Sequence, residues 1–281
     1  MTTNADRCGK TPRRIFFAGA LGVFALTLAS AAYPPPSAPK APAVEAPMVL
    51  AQSTTSTDGN AAMEEPLRLI YDAKKAMESV KDYSCVLVKK EKMADKPPVE
   101  NVISMKVRSE PFSVNLRWSE PKSLAGQEAV YVAGKNDGKM RVKSPGILGT
   151  LGFLSLEPDD ARAKATSRHA INESGLANMI NRFVTAWEKE RKLNVTKVRM
   201  GDYEFNKRKC TRVETTQLEN PDKQFLFQRT VVYFDKEYHL PIRVECYDWP
   251  TKEGEAGELA EMFSYVNLRL NVGVPDDVFN R

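Results

Sequence analysis

The 281-residue chain carries 41 basic and 36 acidic side chains, and its length suits one large domain or two small ones. Its formal charge of +5 is concentrated at the start: residues 1–32 hold Arg7, Lys10, Arg13 and Arg14 against Asp6, leaving 37 basic and 35 acidic residues, or +2, in the remainder. That balance excludes a nucleic-acid surface built on net charge, and 2 histidines without a Cys-x-x-Cys pair argue against a zinc centre.

Ile15–Ala32 is an apolar run behind a basic leader and ends Ala29-Ser30-Ala31-Ala32. This is the form of a secretory signal peptide over residues 1–32, with cleavage expected after Ala31. An uncleaved membrane anchor is the competing reading. Arg13-Arg14-Ile15-Phe16-Phe17 is similar to a twin-arginine export signal, but Pro12 stands where Ser or Thr is usual, so both export routes stay open. Residues 33–63 are rich in Pro, Ala, Ser and Thr and read as a disordered linker. Cys8 leaves with the leader. Cys85, Cys210 and Cys246 remain, either as buried thiols or with a bridge that uses Cys85.

A single folded domain is expected over residues 64–281. Glu64 and Glu65 before Pro66 suit a helix start, and Leu67, Ile70, Ala73, Met77 and Val80 recur at helical spacing. Tyr83–Met93 follows as a strand whose Lys89-Lys90-Glu91-Lys92 reads as its wet end, and Val99–Arg108 as the next strand. In Phe112–Trp118 every second residue is apolar, which places Phe112, Val114, Leu116 and Trp118 on one face. Gln127–Ala133 and Lys139–Lys143 flank Asn136-Asp137-Gly138, a hairpin signal.

Ser144–Leu156 interleaves Ile147, Leu148, Leu151, Phe153 and Leu154 with Gly146, Gly149 and Gly152. The glycines argue against helix or strand and leave two readings, a mobile apolar flap or a loop packed into the core. Ile171–Arg191 is a second helix, with Leu176, Met179, Ile180, Phe183, Val184 and Trp187 on its apolar side and Asn172 or Ser174 as its cap. Strands resume over Leu193–Tyr203, Lys209–Leu218, Gln224–Asp235, Pro241–Asp248 and Glu261–Val272.

The order is helix, strands, apolar loop, helix, strands. It belongs to the α+β class, as a strongly curved antiparallel sheet, an incomplete β-barrel of about 10–11 strands, wrapped over two main helices. No Gly-x-Ser-x-Gly elbow occurs. His169 and His239 sit beside turns or a helix start with no acidic partner near in sequence, and the paired acids Asp159-Asp160 and Asp276-Asp277 read as turn residues that satisfy backbone N–H groups. No catalytic residue, metal ligand or cofactor is expected.

Tyr83-Ser84-Cys85, the run Val107–Trp118, Leu124-Ala125-Gly126, Gly134–Met140, Leu240–Arg243 and Tyr247–Pro250 resemble an exported bacterial family of planctomycete type, domain of unknown function 1571. That family brings no established activity. More loosely, the element order and the ending Tyr265–Phe279 are similar to the Lol-type lipoprotein carriers. This resemblance implies an apolar cavity for acyl chains between sheet and helices, in the periplasm or cell envelope.

The expectation is therefore a non-catalytic envelope protein that binds a lipid or a lipoprotein acyl chain, with peripheral or N-terminal membrane association. Phe112, Val114, Leu116 and Trp118 would line the wall, Ile147, Leu148, Leu151, Phe153 and Leu154 the rim, and Phe183 and Trp187 the helix side. The alternative is an interaction or sensory module with a filled core on the same scaffold. A hydrolase of unknown substrate comes third.

Overall fold

The structure is a computed structural model that describes residues 46–49, 54–56, 59–93, 96–252 and 254–281. The expected signal peptide, most of the linker and Cys8 lie outside the described residues. Among the described residues no helix is long and apolar enough to cross a membrane.

Within the described residues thirteen strands form one antiparallel sheet. They are β1 (Met48–Val49), β2 (Thr54–Ser56), β3 (Asp82–Met93), β4 (Lys96–Arg108), β5 (Ser113–Glu120), β6 (Glu128–Val132), β7 (Met140–Lys143) and β8 (Leu154–Leu156). After them come β9 (Thr196–Phe205), β10 (Arg208–Gln217), β11 (Arg229–Asp235), β12 (Pro241–Tyr247) and β13 (Leu259–Leu270). The helices are α1 (Gly59–Ala62), α2 (Glu64–Met77), α3 (Ala161–Lys164) and α4 (Leu176–Leu193). The spatial order is β1-β9-β10-β11-β12-β13-β3-β4-β5-β6-β7-β8, with β2 also on β9. Its ends, β1 and β8, do not pair with one another, so the sheet is open. The last strand pairs with β12 on one side and β3 on the other, and so joins the two halves.

Two expectations change here. The sheet exceeds 10–11 strands because Met48–Val49 and Thr54–Ser56 pair with β9 and Leu154–Leu156 pairs with β7. Polar Thr and Ser donate and accept ladder bonds as readily as apolar residues do, so part of the expected linker is strand, and helix α1 follows it. The glycine-rich stretch is also ordered locally: Gly146–Leu151 is a 3-10 turn. Gly149 is needed there, because a Cβ would stand 2.5 Å from the Ser144 carbonyl oxygen.

The core lies between the sheet and the packed pair α2 and α4. Helix α2 buries Leu67, Ile70 and Ala73, the stripe its spacing predicts. Helix α4 starts later than expected and is capped differently: Gly175, at φ 94°, is its N-cap without a side-chain cap bond, and the Tyr83 hydroxyl accepts the Leu176 N–H at 2.9 Å. Asn136, Asp137 and Gly138 take φ values of 59°, 55° and 77° between β6 and β7, as the hairpin signal requires.

On β5 both faces are covered. Val114 and Leu116 face the core, while Ser113 and Asn115 are also buried. Phe279 packs with Val130, Val132, Val274 and Val278 on that outer side, and the Asn115 amide donates to the Val278 carbonyl at 3.0 Å. The chain's own end shields what alternation marks as a solvated face.

Candidate functional site

The side chains of β3 to β8 do not fill the space beneath the segment 161–175. A cavity of about 300 Å³ remains, lined by Leu87, Ile103, Leu116, Trp118, Met140 and Leu156 among others. Period-two alternation puts these residues inward, and Met179 and Arg182 of α4 line the cavity as well. A second cavity of about 690 Å³ lies between α4, the strands β11 to β13 and the 224–227 loop, with Met179, Phe183, Phe225, Phe227, Val244 and Phe263 on its walls. His169, Glu173, Met179, Arg182 and Phe263 border both.

Charged groups are set into this shared wall. The Lys89 ammonium donates to Glu91 Oε2 at 2.7 Å and to Ser167 Oγ at 3.0 Å, and both side chains of that pair are buried. Against the expectation of no acidic partner near in sequence, His169 Nδ1 lies 3.8 Å from Glu173, four residues on, and its Nε2 lies 2.9 Å from Glu261 Oε2. Arg168 Nε is 3.5 Å from the same Glu261 oxygen, and the Arg168 backbone N–H donates to Glu91 Oε1 at 3.3 Å.

Glu91, His169 and Glu261 offer three ligand atoms within 4.8 Å of one another, close enough for a divalent ion. Lys89 and Arg168 already balance the two carboxylates, however. A dication there would leave excess positive charge in a region of low dielectric, a costly arrangement. The cluster is an internally compensated ion network.

Burial sets the ionisation of the neighbouring groups. The Cys246 thiol is raised well above its usual value by burial first and by the Glu261 charge second. Burial likewise raises Tyr265 and Cys85, and pushes Cys210 up to about 12. The three cysteines among the described residues are free and buried, so no bridge among them uses Cys85. At the far end of the second cavity Glu190 is pushed up to about 7 by burial, partly offset by Gln217, Thr215 and Thr196.

The residues expected to meet a ligand divide three ways. Leu116, Trp118 and Leu154 line the first cavity and Phe183 lines the second. Val114 and Trp187 are fully buried in the core, Trp187 against Phe183 and Phe234, and Phe112 packs near Tyr131. Neither cavity is lined by any of these three. Ile147, Leu148 and Leu151 project outward at 87%, 66% and 80% exposure, while Phe153 is half-buried. His239 borders a separate charged recess with Asp72 and Asp235.

Lys89, Glu91, Glu173, Arg182, Glu190 and Glu261 were not expected at the site. Parity carried a signal for the first pair: Lys89 and Glu91 share the strand face of Cys85 and Leu87, so the run 89–92 is half inward rather than wet. Glu190 stands three residues beyond Trp187 on the apolar stripe of α4.

The family described as "Protein of unknown function (DUF1571)" matches residues 80–281. The chain belongs to that family. No curated protein matches this DUF1571 chain. Among solved structures it is similar to a DUF1329 family protein from Desulfovibrio piger, at 13% identity over 78% of this chain and 97% of that one, with a TM-score of 0.39. It is also similar to a LolA superfamily protein from Nitrosomonas europaea (12% identity, 76% and 96% covered, TM-score 0.30). A third likeness is to the Mycobacterium tuberculosis lipoprotein LppX (11% identity, 74% and 97% covered, TM-score 0.43). At these values the likenesses assign no ligand or activity to the DUF1571 chain.

Proposed function

We propose that this protein is an exported, non-catalytic envelope protein that holds a lipid, or the acyl chain of a lipoprotein, between its sheet and its helices. The observation that carries the reading is the apolar room of about 300 Å³ under the segment 161–175, which lies at the scale of ligand sites. Unfilled apolar space lowers stability, so a chain that keeps it open has a use for an occupant. Acyl chains enter such room by burial alone, about 0.8 kcal/mol per CH₂, and need few polar anchors. The apolar leader at residues 15–32 supports export. The internal compensation of Lys89, Glu91, Arg168 and Glu261 supports a positioning role for these groups rather than acid–base chemistry.

Leu154 both lines the first cavity and is 55% exposed, beside the outward Ile147, Leu148 and Leu151. That continuity suits a rim across which an apolar chain passes from a membrane. The same exposed group would serve an interaction module, but that reading calls for a filled interior, which the two cavities oppose. Native mass spectrometry of the full chain as purified, followed by titration with a fluorescent fatty acid, tests the proposal. Retained lipid or saturable binding is expected. Absence of both overturns it.

A further inference from the structure

We propose that the ligand is an anionic lipid with two apolar chains, its headgroup held at Arg182 and one chain in each of the two cavities. The inference rests on the lipid-binding reading above and names the class of lipid. Its starting point is the wall the cavities share. Arg182 borders both of them, lies on the second turn of α4 and is exposed.

The neighbouring Arg168 and His169 are paired with Glu261 and Glu173, whereas Arg182 meets no carboxylate among the described residues, and its one hydrogen bond is a long one, from Nη1 to the Glu173 carbonyl at 3.4 Å. Tyr265 on β13 lines the first of these cavities and Cys246 on β12 the second, so Arg182 borders the space between α4 and the sheet on both sides. Lys189, the other cation beside the second cavity, is engaged: its ammonium donates to the Gln224 carbonyl at 2.8 Å and lies over the Phe225 ring.

A guanidinium with most of its donors unused is suited to bidentate pairing with a phosphate. Two chains diverging from one glycerol-linked headgroup would straddle a single wall, with the head at its rim. A single chain would occupy one cavity and leave the other open, and an uncharged head without a phosphate would leave Arg182 without a partner.

The test equilibrates the full chain with vesicles of equal parts phosphatidylglycerol and the uncharged, phosphate-free digalactosyldiacylglycerol and identifies the retained lipid by native mass spectrometry. Wild type is expected to favour phosphatidylglycerol by about tenfold, the size of one charge-assisted contact. Arg182→Gln should lose that preference. Equal retention of the two lipids by wild type, or an unchanged preference in Arg182→Gln, overturns the headgroup assignment. Retention of no lipid at all instead overturns the lipid-binding reading itself.

Two further variants test the chains. Ala163, in the first cavity's lining, and Ala186, in the second's, are each changed to Trp to fill one cavity. Each variant should lose phosphatidylglycerol while retaining lysophosphatidylglycerol, which has one chain. Retention of the two-chain lipid at the wild-type level by either variant shows that its cavity takes no chain.

Discussion

The Tyr83 hydroxyl on β3 accepts the Leu176 N–H of α4 at 2.9 Å. A strand side chain thus replaces the cap that a Ser or Asn would supply, and fixes the start of α4 over the first cavity. Tyr83→Phe leaves that N–H buried without a partner and should cost about 1–2 kcal/mol, read as a lower urea midpoint. An unchanged midpoint would show that the contact contributes nothing. Gly175→Ala should cost more, about 2–3 kcal/mol, because φ 94° and ψ 166° suit glycine alone and the new Cβ would meet the Tyr83 oxygen at 2.8 Å.

Trp187 and Trp118 should separate stability from binding. Trp187 is fully buried and its indole N–H has no partner among the described residues, so it acts as packing. Trp187→Ala should lose about 3–5 kcal/mol, whereas Trp187→Phe should fold and retain lipid as wild type does. Trp118→Ala enlarges the first cavity and should alter fatty-acid binding with a smaller loss of stability. Unaltered binding in Trp118→Ala would detach that wall from the ligand.

Ile147, Leu148 and Leu151 are exposed, so changing all three to Ser should move stability by no more than about 0.5 kcal/mol per site. Vesicle co-sedimentation should drop, because three apolar groups no longer enter the interface. Co-sedimentation equal to wild type would remove the turn from membrane contact.

Lys89 and Glu91 form a buried pair. Removing one partner strands the other charge, so Lys89→Met alone should cost about 3–5 kcal/mol, and adding Glu91→Leu should recover much of that loss. A double-mutant cycle in urea measures it. Strict additivity would mean that the pair is not coupled in the folded state.

Most of the fold was legible because it rests on short-range patterns. The alternation of Phe112–Trp118, the helical stripe from Leu67 to Ala73 and the Asn136–Gly138 turn each state their structure within a few residues. The α4 cap was not legible, since Tyr83 and Leu176 meet only after folding and the sequence offers Asn172 and Ser174 as ordinary alternatives. Buried Ser113 and Asn115 were concealed for the same reason, because the chain's far end covers them. At the site, the apolar walls at Leu116 and Trp118 could be read from periodicity. Their unfilled spacing could not, because a void is a property of several elements together. Lys89 and Glu91 showed themselves only by parity, which the neighbouring Lys90 and Lys92 obscured.

Glu190 supplies a prediction in pH. Burial raises its carboxyl from 4.5 to about 7 in the folded chain. Between those values the unfolded chain has released the proton while the folded chain still holds it, so the unfolded state binds fewer protons and stability falls as pH rises. The contribution is fully present below 4.5 and lost once pH passes about 7. At 1.36 kcal/mol per pH unit the whole loss is about 3 kcal/mol. Glu190→Gln has no proton to release, so it should match wild type near about pH 4 and exceed it by about 3 kcal/mol near about pH 8.5. Urea unfolding of both proteins at the two pH values decides it. Parallel behaviour of wild type and variant would mean that Glu190 is already ionised, and solvated, in the folded state.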